Sequence, residues 1–248
     1  MKIAVAGKGG VGKTTLSCGL ALIFAEAGKK VLAIDADPDA NLAVYLGFPP
    51  ALKIVPMSEL KEEIAQRVGG KEDWGGYFRL NPKVDDIPAK YCPVYQGIQL
   101  MVLGYVRKGG GGCICPENSF LKALLTHALF NHEAVIIDLV AGTEHLGRGT
   151  AGSVDGFIIV AEPNARSLDT ALRSEKLAKE VGIKKIYFVG NKIRSLEDEK
   201  YISAQLPQKN VIGFLNYEPA LENSRDQFSF TPQLSTQIKS IIQKLRNA

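Results

Sequence analysis

The stretch Gly7-Lys8-Gly9-Gly10-Val11-Gly12-Lys13-Thr14 decides the fold. It fits G-x-x-x-x-G-K-[ST], and each position in that pattern has a physical reason. Glycines let the backbone curl until successive N–H groups converge on phosphate oxygens. Lys13 is placed to reach the β- and γ-phosphates, and the Thr14 hydroxyl to ligate Mg²⁺. Residues 2–6 read as a short buried strand. Thr14 opens a helical pattern with apolar Leu16, Leu20, Phe24 and Ala27. Strand, glycine loop and helix in that order aim a helix N-terminus at a bound anion. Gly9, Gly10, Val11, Gly12, Lys13, Thr14 and Thr15 are the expected nucleotide contacts. Lys8 is a second lysine that the pattern does not demand.

Outward from the loop, short apolar runs recur at residues 2–6, 30–35, 99–103, 134–138, 157–160, 185–189 and 211–215. Helical patterns fill intervals at 14–28, 119–131, 167–181 and 233–246. Such alternation, with nearly continuous apolar strands, predicts an α/β fold. Its sheet is mostly parallel, with helices on both faces, as in P-loop NTPases. Ligands in such folds sit at the carboxyl ends of the strands, where the loop, Asp35, Asp37 and Asp138 all fall. We expect one ATPase domain over residues 1–248, with an irregular insertion at about 48–97. A short helix over 59–67 with Ser58 as its cap is expected inside that insertion. The rest of it either faces a partner or only covers core.

Composition narrows the function. The 248 residues are 46% hydrophobic, enough for a sizeable core. A formal charge of +4, from 30 basic and 26 acidic residues, forms no basic arm or polybasic patch. Neither a nucleic-acid nor a membrane partner is therefore expected. The chain enters a strand at once and has no apolar run of transmembrane length, so we expect a cytoplasmic protein without a signal peptide. Its four cysteines are then reduced, which makes metal or redox chemistry the better question to ask of them.

The second strand runs into Asp35-Ala36-Asp37-Pro38-Asp39. Two carboxylates two residues apart at the mouth of a P-loop suit Mg²⁺ hydration and an attacking water. Asp138 closes Ile136-Ile137-Asp138, a Walker B strand end that holds Mg²⁺ directly or through water; the alternative is a turn or cap aspartate. The following 141–146 stretch is where a γ-phosphate-sensing switch would lie. For the base, guanine needs the acceptor that GTPases supply as the Asp of N-K-x-D. Here the segment reads Asn191-Lys192-Ile193-Arg194, with an arginine in that place. Asn191 can pair with adenine N6 and N7, which favours ATP; otherwise it is a strand-end turn residue.

Gly109–Gly112 lead into Cys113-Ile114-Cys115. A C-x-C supplies two thiolates, short of the four ligands a soft-site metal prefers, and no second pair exists in the chain. A two-fold dimer would double the pair to Cys₄. The alternative is two ordinary thiols. Cys18 reads as core, and Cys92 as structural rather than a ligand.

The K-G-G-V-G-K-T-T loop resembles the deviant Walker A motif of the MinD/ParA/nitrogenase-iron-protein superfamily. That resemblance implies that Lys8 reaches across a dimer to the partner's nucleotide. It also gives Asp37 the positioning of the water and Asp35 the metal's outer shell. Cys113-Ile-Cys115-Pro-Glu117-Asn118-Ser119-Phe120 is similar to the CooC family, nickel-insertion ATPases that mature carbon monoxide dehydrogenase. Leu80-Asn81-Pro82-Lys83-Val84-Asp85 and Glu144-His145-Leu146-Gly147-Arg148-Gly149-Thr150 carry the same resemblance, which runs essentially end to end. It implies an ATP- and Mg²⁺-dependent homodimer whose Cys113 and Cys115 pairs share one Ni²⁺, or Zn²⁺, at the interface. The client would be carbon monoxide dehydrogenase or a related nickel enzyme. Three histidines, His127, His132 and His145, make no metal-storage tract.

Two other classes share parts of this pattern. A partitioning or positioning ATPase fits the P-loop equally well. The apolar stripe Ile238, Ile241, Ile242 and Leu245 is nevertheless more often core than membrane anchor. An iron–sulfur carrier would want a cysteine in the switch after Walker B, where this chain has Ala141-Gly142-Thr143.

Overall fold

The computed structural model describes residues 1–37, 39–69, 79–104, 116–140, 153–223 and 230–247. Its first half runs β1 (Lys2–Gly7), α1 (Lys13–Glu26), β2 (Val31–Asp35), α2 (Leu42–Tyr45), α3 (Lys61–Val68), α4 (Ile87–Tyr91), β3 (Val94–Tyr95) and β4 (Ile98–Val102). Then follow α5 (Pro116–Asn131), β5 (Ala134–Asp138), β6 (Gly156–Ala161), α6 (Ala165–Glu180) and β7 (Ile186–Ile193). Helix α7 (Leu196–Gln205), β8 (Val211–Asn216), α8 (Pro219–Asn223) and α9 (Pro232–Asn247) complete the described chain.

The described strands form one sheet in the order β3-β4-β2-β5-β1-β6-β7-β8. All described pairings are parallel except β3 with β4. The hydrophobic pattern explains this. Along β1, Ile3 and Val5 join one apolar layer while Ala4 and Ala6 join the other. A strand buried on both faces has no solvent side, as parallel crossover topology requires. Helices α1 and α9 cover the first layer through Leu16, Leu20, Ile238 and Ile241. Helices α3, α5, α6 and α7 cover the second through Ile64, Phe120, Leu168 and Ile202.

Two close approaches fix the first layer. A Cβ on Gly19 of α1 would meet Ile238 Cδ1 at 2.3 Å, so α9 rides directly on the backbone of the P-loop helix. A Cβ on Gly213 of β8 would meet Ile241 Cγ1 at 2.6 Å. The apolar stripe of α9 is therefore core.

The seven expected strands and four long helices are present, β5 with the expected bounds and the others with one or both ends shifted. The expected cap Ser58 does not cap: residues 57–59 form a 3-10 turn, and Ser58 N–H donates to Leu103 O at 3.0 Å. Helix α3 starts only at Lys61, with Leu60 preceding it and no side-chain cap. Within 48–97 the chain also forms α4 and the β3 strand. The two-residue turn Gln96-Gly97 into β4 has φ of 48° and 77°, the backbone that a tight hairpin needs. Helix α7 was not expected from periodicity. Its signal was the capping box, with Ser195 Oγ accepting from Asp198 N and the Asp198 carboxylate accepting from Ser195 N. Among the described residues no helix is long and apolar enough to cross a membrane.

Candidate active site

A cleft of about 420 Å³ opens at the carboxyl ends of β1, β2, β7 and β8. The loop after β1 contributes Gly9, Gly10 and Gly12, and the first turn of α1 contributes Lys13, Thr14 and Thr15. The turn after β2 contributes Asp37, Asp39 and Asn41, α2 contributes Tyr45, and β7 contributes Asn191 and Lys192. Strand β8 ends in Asn216, and Tyr217, Glu218 and then Leu221 of α8 follow it. Helix α1 begins at Lys13 behind Gly12, which has φ 93° and no side-chain cap, and no acid sits in its first turn. Its leading amides are thus left for an anion.

Beneath this floor lie two carboxylates. Asp35 and Asp138 are register neighbours on β2 and β5, and both are fully buried. Thr14 Oγ1 donates to Asp138 Oδ2 at 2.7 Å and Ser17 Oγ to Oδ1 at 3.1 Å. The Thr14 proton is spent on Asp138, so its oxygen lone pairs remain for a cation. Asp35 accepts from the Asp37 and Leu42 backbone amides at 3.1 and 2.9 Å, which shapes the turn that carries Asp37. Burial lifts the Asp138 carboxyl to about 7 and that of Asp35 to about 6. The Thr14 hydrogen bond and the Lys13 charge oppose the rise at Asp138, and the two amides oppose it at Asp35. Oxygen-only donors with buried carboxylates behind a hydroxyl fit a hard divalent cation such as Mg²⁺.

The structure thus brings Lys13, Thr14, Thr15, Asp37 and Asn191 to one cleft, with Asp35 and Asp138 under it. Lys8 is partly buried and does not line it. Asn191 lies inside β7 rather than at a strand end, and its Nδ2 donates to Val11 O at 2.7 Å. Arg194, at the GTPase acceptor position, does not itself line the cleft; its guanidinium carbon lies 3.5 Å from the centroid of the ring of Tyr217, which does. Cys113, Cys115, Glu144 and His145 lie outside the described residues. Cys18 is buried and its Sγ–H points at Tyr45 O, 3.5 Å away. Burial drives the Cys18 thiol well up and the Cys92 thiol to about 12, as expected for core sulfurs rather than ligands. Among the described residues no three His, Cys, Asp or Glu side chains gather to hold a metal. Sequence reasoning missed Asn41, Tyr45 and the 216–221 wall. The available signal was β8 itself, because ligands collect past strand carboxyl ends.

Residues 2–228 match the family model described as the CobQ/CobB/MinD/ParA nucleotide binding domain. The chain belongs to the CobQ/CobB/MinD/ParA nucleotide-binding family. It is a P-loop ATPase of the MinD/ParA type, and ATP with Mg²⁺ is what this family's cleft implies. Among curated members, the "carbon monoxide dehydrogenase accessory protein CooC" of Rhodospirillum rubrum is 44% identical over 90% of this chain and 86% of its own. At that identity and coverage the chain is of the CooC type. An uncharacterized ATP-binding protein of Methanocaldococcus jannaschii is 41% identical over 88% and 86%. Among solved structures of the family, the MinD cell division protein of Aquifex aeolicus aligns at TM-score 0.68 and 22% identity, covering 100% of this chain and 98% of that one. MinD of Pyrococcus horikoshii, complexed with Mg-ADP, aligns at 0.69 and 16%, covering 98% and 94%. These two show the shared fold alone.

Proposed function

We propose that this protein is an ATP-driven metallochaperone that delivers nickel to carbon monoxide dehydrogenase or a related nickel enzyme. The observation that carries this is the 44% identity, over nine-tenths of the chain, to the CooC accessory protein. The C-x-C of Cys113 and Cys115 supplies the soft donors such a cargo needs, and two copies facing across a two-fold axis would complete a four-thiolate site. Zn²⁺ is the competing ion for the same donors.

In the catalytic cycle, the amides of Gly9–Thr15 cradle the phosphates and Lys13 neutralises the β/γ oxygens. Thr14 would hold Mg²⁺, with Asp138 and Asp35 backing it. When bound, the ion supplies positive charge where the transferring phosphoryl group develops negative charge. Asp37, at the cleft wall, orients the water that attacks the γ-phosphorus as its bond to the β–γ bridging oxygen breaks, giving ADP and phosphate. Asn191 meets the adenine edge. Lys8, held outside its own cleft, contacts the phosphates of the partner subunit, like an arginine finger in trans. ATP-driven closure would bring the two cysteine pairs together, and hydrolysis would relax them, passing nickel to the client. Metal affinity and nucleotide affinity are then reciprocally linked.

The test is nickel and zinc bound per subunit, with particle mass, for the native chain and for Cys113→Ser/Cys115→Ser, with and without ATP and Mg²⁺. About half an ion per subunit, lost in the variant and tied to dimerisation, is expected. Metal stoichiometry that ignores both serines would sink the proposal.

A further inference from the structure

We infer that Glu162, which does not line the nucleotide cleft, is a positioning residue for nucleotide binding. It holds Lys192 in a left-handed backbone conformation that aims Asn191 at the P-loop. This builds on taking the cleft as the nucleotide site.

The geometry starts with a bulge. Gly190 pairs with Phe214 and Ile193 with Asn216, so β7 carries one residue more than β8 across this interval. The surplus falls at Asn191-Lys192. Lys192 takes up the distortion with φ 58°, a region that costs a side-chain-bearing residue. Asn191 is thereby turned onto the loop, where its Nδ2 reaches Val11 O at 2.7 Å. The fit leaves no slack, because a Cβ on Gly12 would lie 2.1 Å from that nitrogen.

Something must offset the strain at Lys192. Its ammonium lies 2.8 Å from Glu162 Oε1, just past the end of β6. The other carboxylate oxygen, Oε2, accepts from Asn164 Nδ2 at 3.1 Å. Asn164 is itself fixed as the N-cap of α6, with its Oδ1 accepting from Ser167 N at 2.9 Å. Glu162 N–H donates to Ser167 Oγ at 2.9 Å. The carboxylate is thus anchored on one side by a helix start and uses the other side to hold the lysine. The path runs from the α6 cap through Glu162, Lys192 and Asn191 to the loop backbone at Val11.

The experiment measures the affinity of a fluorescent ATP analogue with Mg²⁺, with KM and kcat for ATP. Glu162→Met keeps the side-chain length and removes both acceptors, so affinity and KM should worsen about fivefold with kcat nearly unchanged. Glu162→Gln, which keeps one acceptor, should fall between. Adding Lys192→Gly to Glu162→Met should recover most of the affinity, because glycine adopts φ near 58° without support. A double variant weaker than Glu162→Met would mean that the lysine itself holds nucleotide and would overturn the inference. So would a Glu162→Met protein, folded by its melting profile, that binds like the native one. Failure of the native chain to bind the analogue would instead sink the nucleotide assignment of the cleft.

Discussion

Gly12 has two independent reasons to lack a side chain. Its φ of 93° is unfavourable to other residues, and the Asn191 amide occupies the space a Cβ would need. Gly12→Ala should therefore push Asn191 off Val11 and weaken ATP binding by about tenfold or more, read by titration calorimetry on a chain that still melts cooperatively. The two loop lysines should separate. Lys13→Ala should abolish nucleotide binding, whereas Lys8→Ala should keep binding and lose steady-state hydrolysis. Equal loss of binding in both would contradict a trans role for Lys8. At this scale the phosphate end of the site was legible and the base end less so. Lys13, Thr14, Asp35 and Asp138 are announced by local motifs next to strands. Tyr217 and Glu218 belong to no motif, and only the sheet brings them to the cleft. The bulge that puts Asn191 inside β7 is set by pairing with β8, which local sequence does not encode.

Among the elements, α3 and α4 are joined by a small ionic knot. Arg67 bonds Glu63 one turn earlier through Nε at 2.7 Å and forks onto both oxygens of Asp86 at 2.7 Å. Lys90 and Tyr91 of α4 also bond Glu63. Lys90, then Tyr91, then Arg67 hold the Glu63 carboxyl at about 2, below its ordinary 4.5. A depressed carboxyl stabilises the fold above its unfolded value, and that contribution fades as pH falls from 4.5 towards 2. Glu63→Gln should lower the urea midpoint at pH 7, and the gap to the native chain should close progressively between pH 4.5 and pH 2. A gap that stays constant with pH would mean that Glu63 acts by packing alone. The strands could be read because both of their faces are apolar. Helix α7 was hidden because Ile202 is its one core-facing residue, too little for a periodic signal. Ser58 misled because a cap-like residue before a helical pattern does not distinguish a helix start from a 3-10 turn feeding one.

For the whole molecule, one sheet carries the ATPase cleft along its carboxyl edge, and Lys8 stands outside that cleft. Asp37→Ala should slow hydrolysis without removing the loop, so ATP and Mg²⁺ should hold that variant as a lasting dimer by light scattering. The Asp37→Ala/Lys8→Ala pair should stay monomeric at the same concentration. A persistent dimer in the pair would move the subunit contact away from Lys8. The last described helix also packs on the nucleotide helix, at the bare backbone of Gly19. That contact makes a forecast in the language of genetics. Gly19→Ala should damage ATPase function at a distance, and selection for revertants should return a shorter residue at position 238. Ile238→Val is the simplest suppressor, because it deletes the very carbon, Cδ1, that the new methyl group would strike.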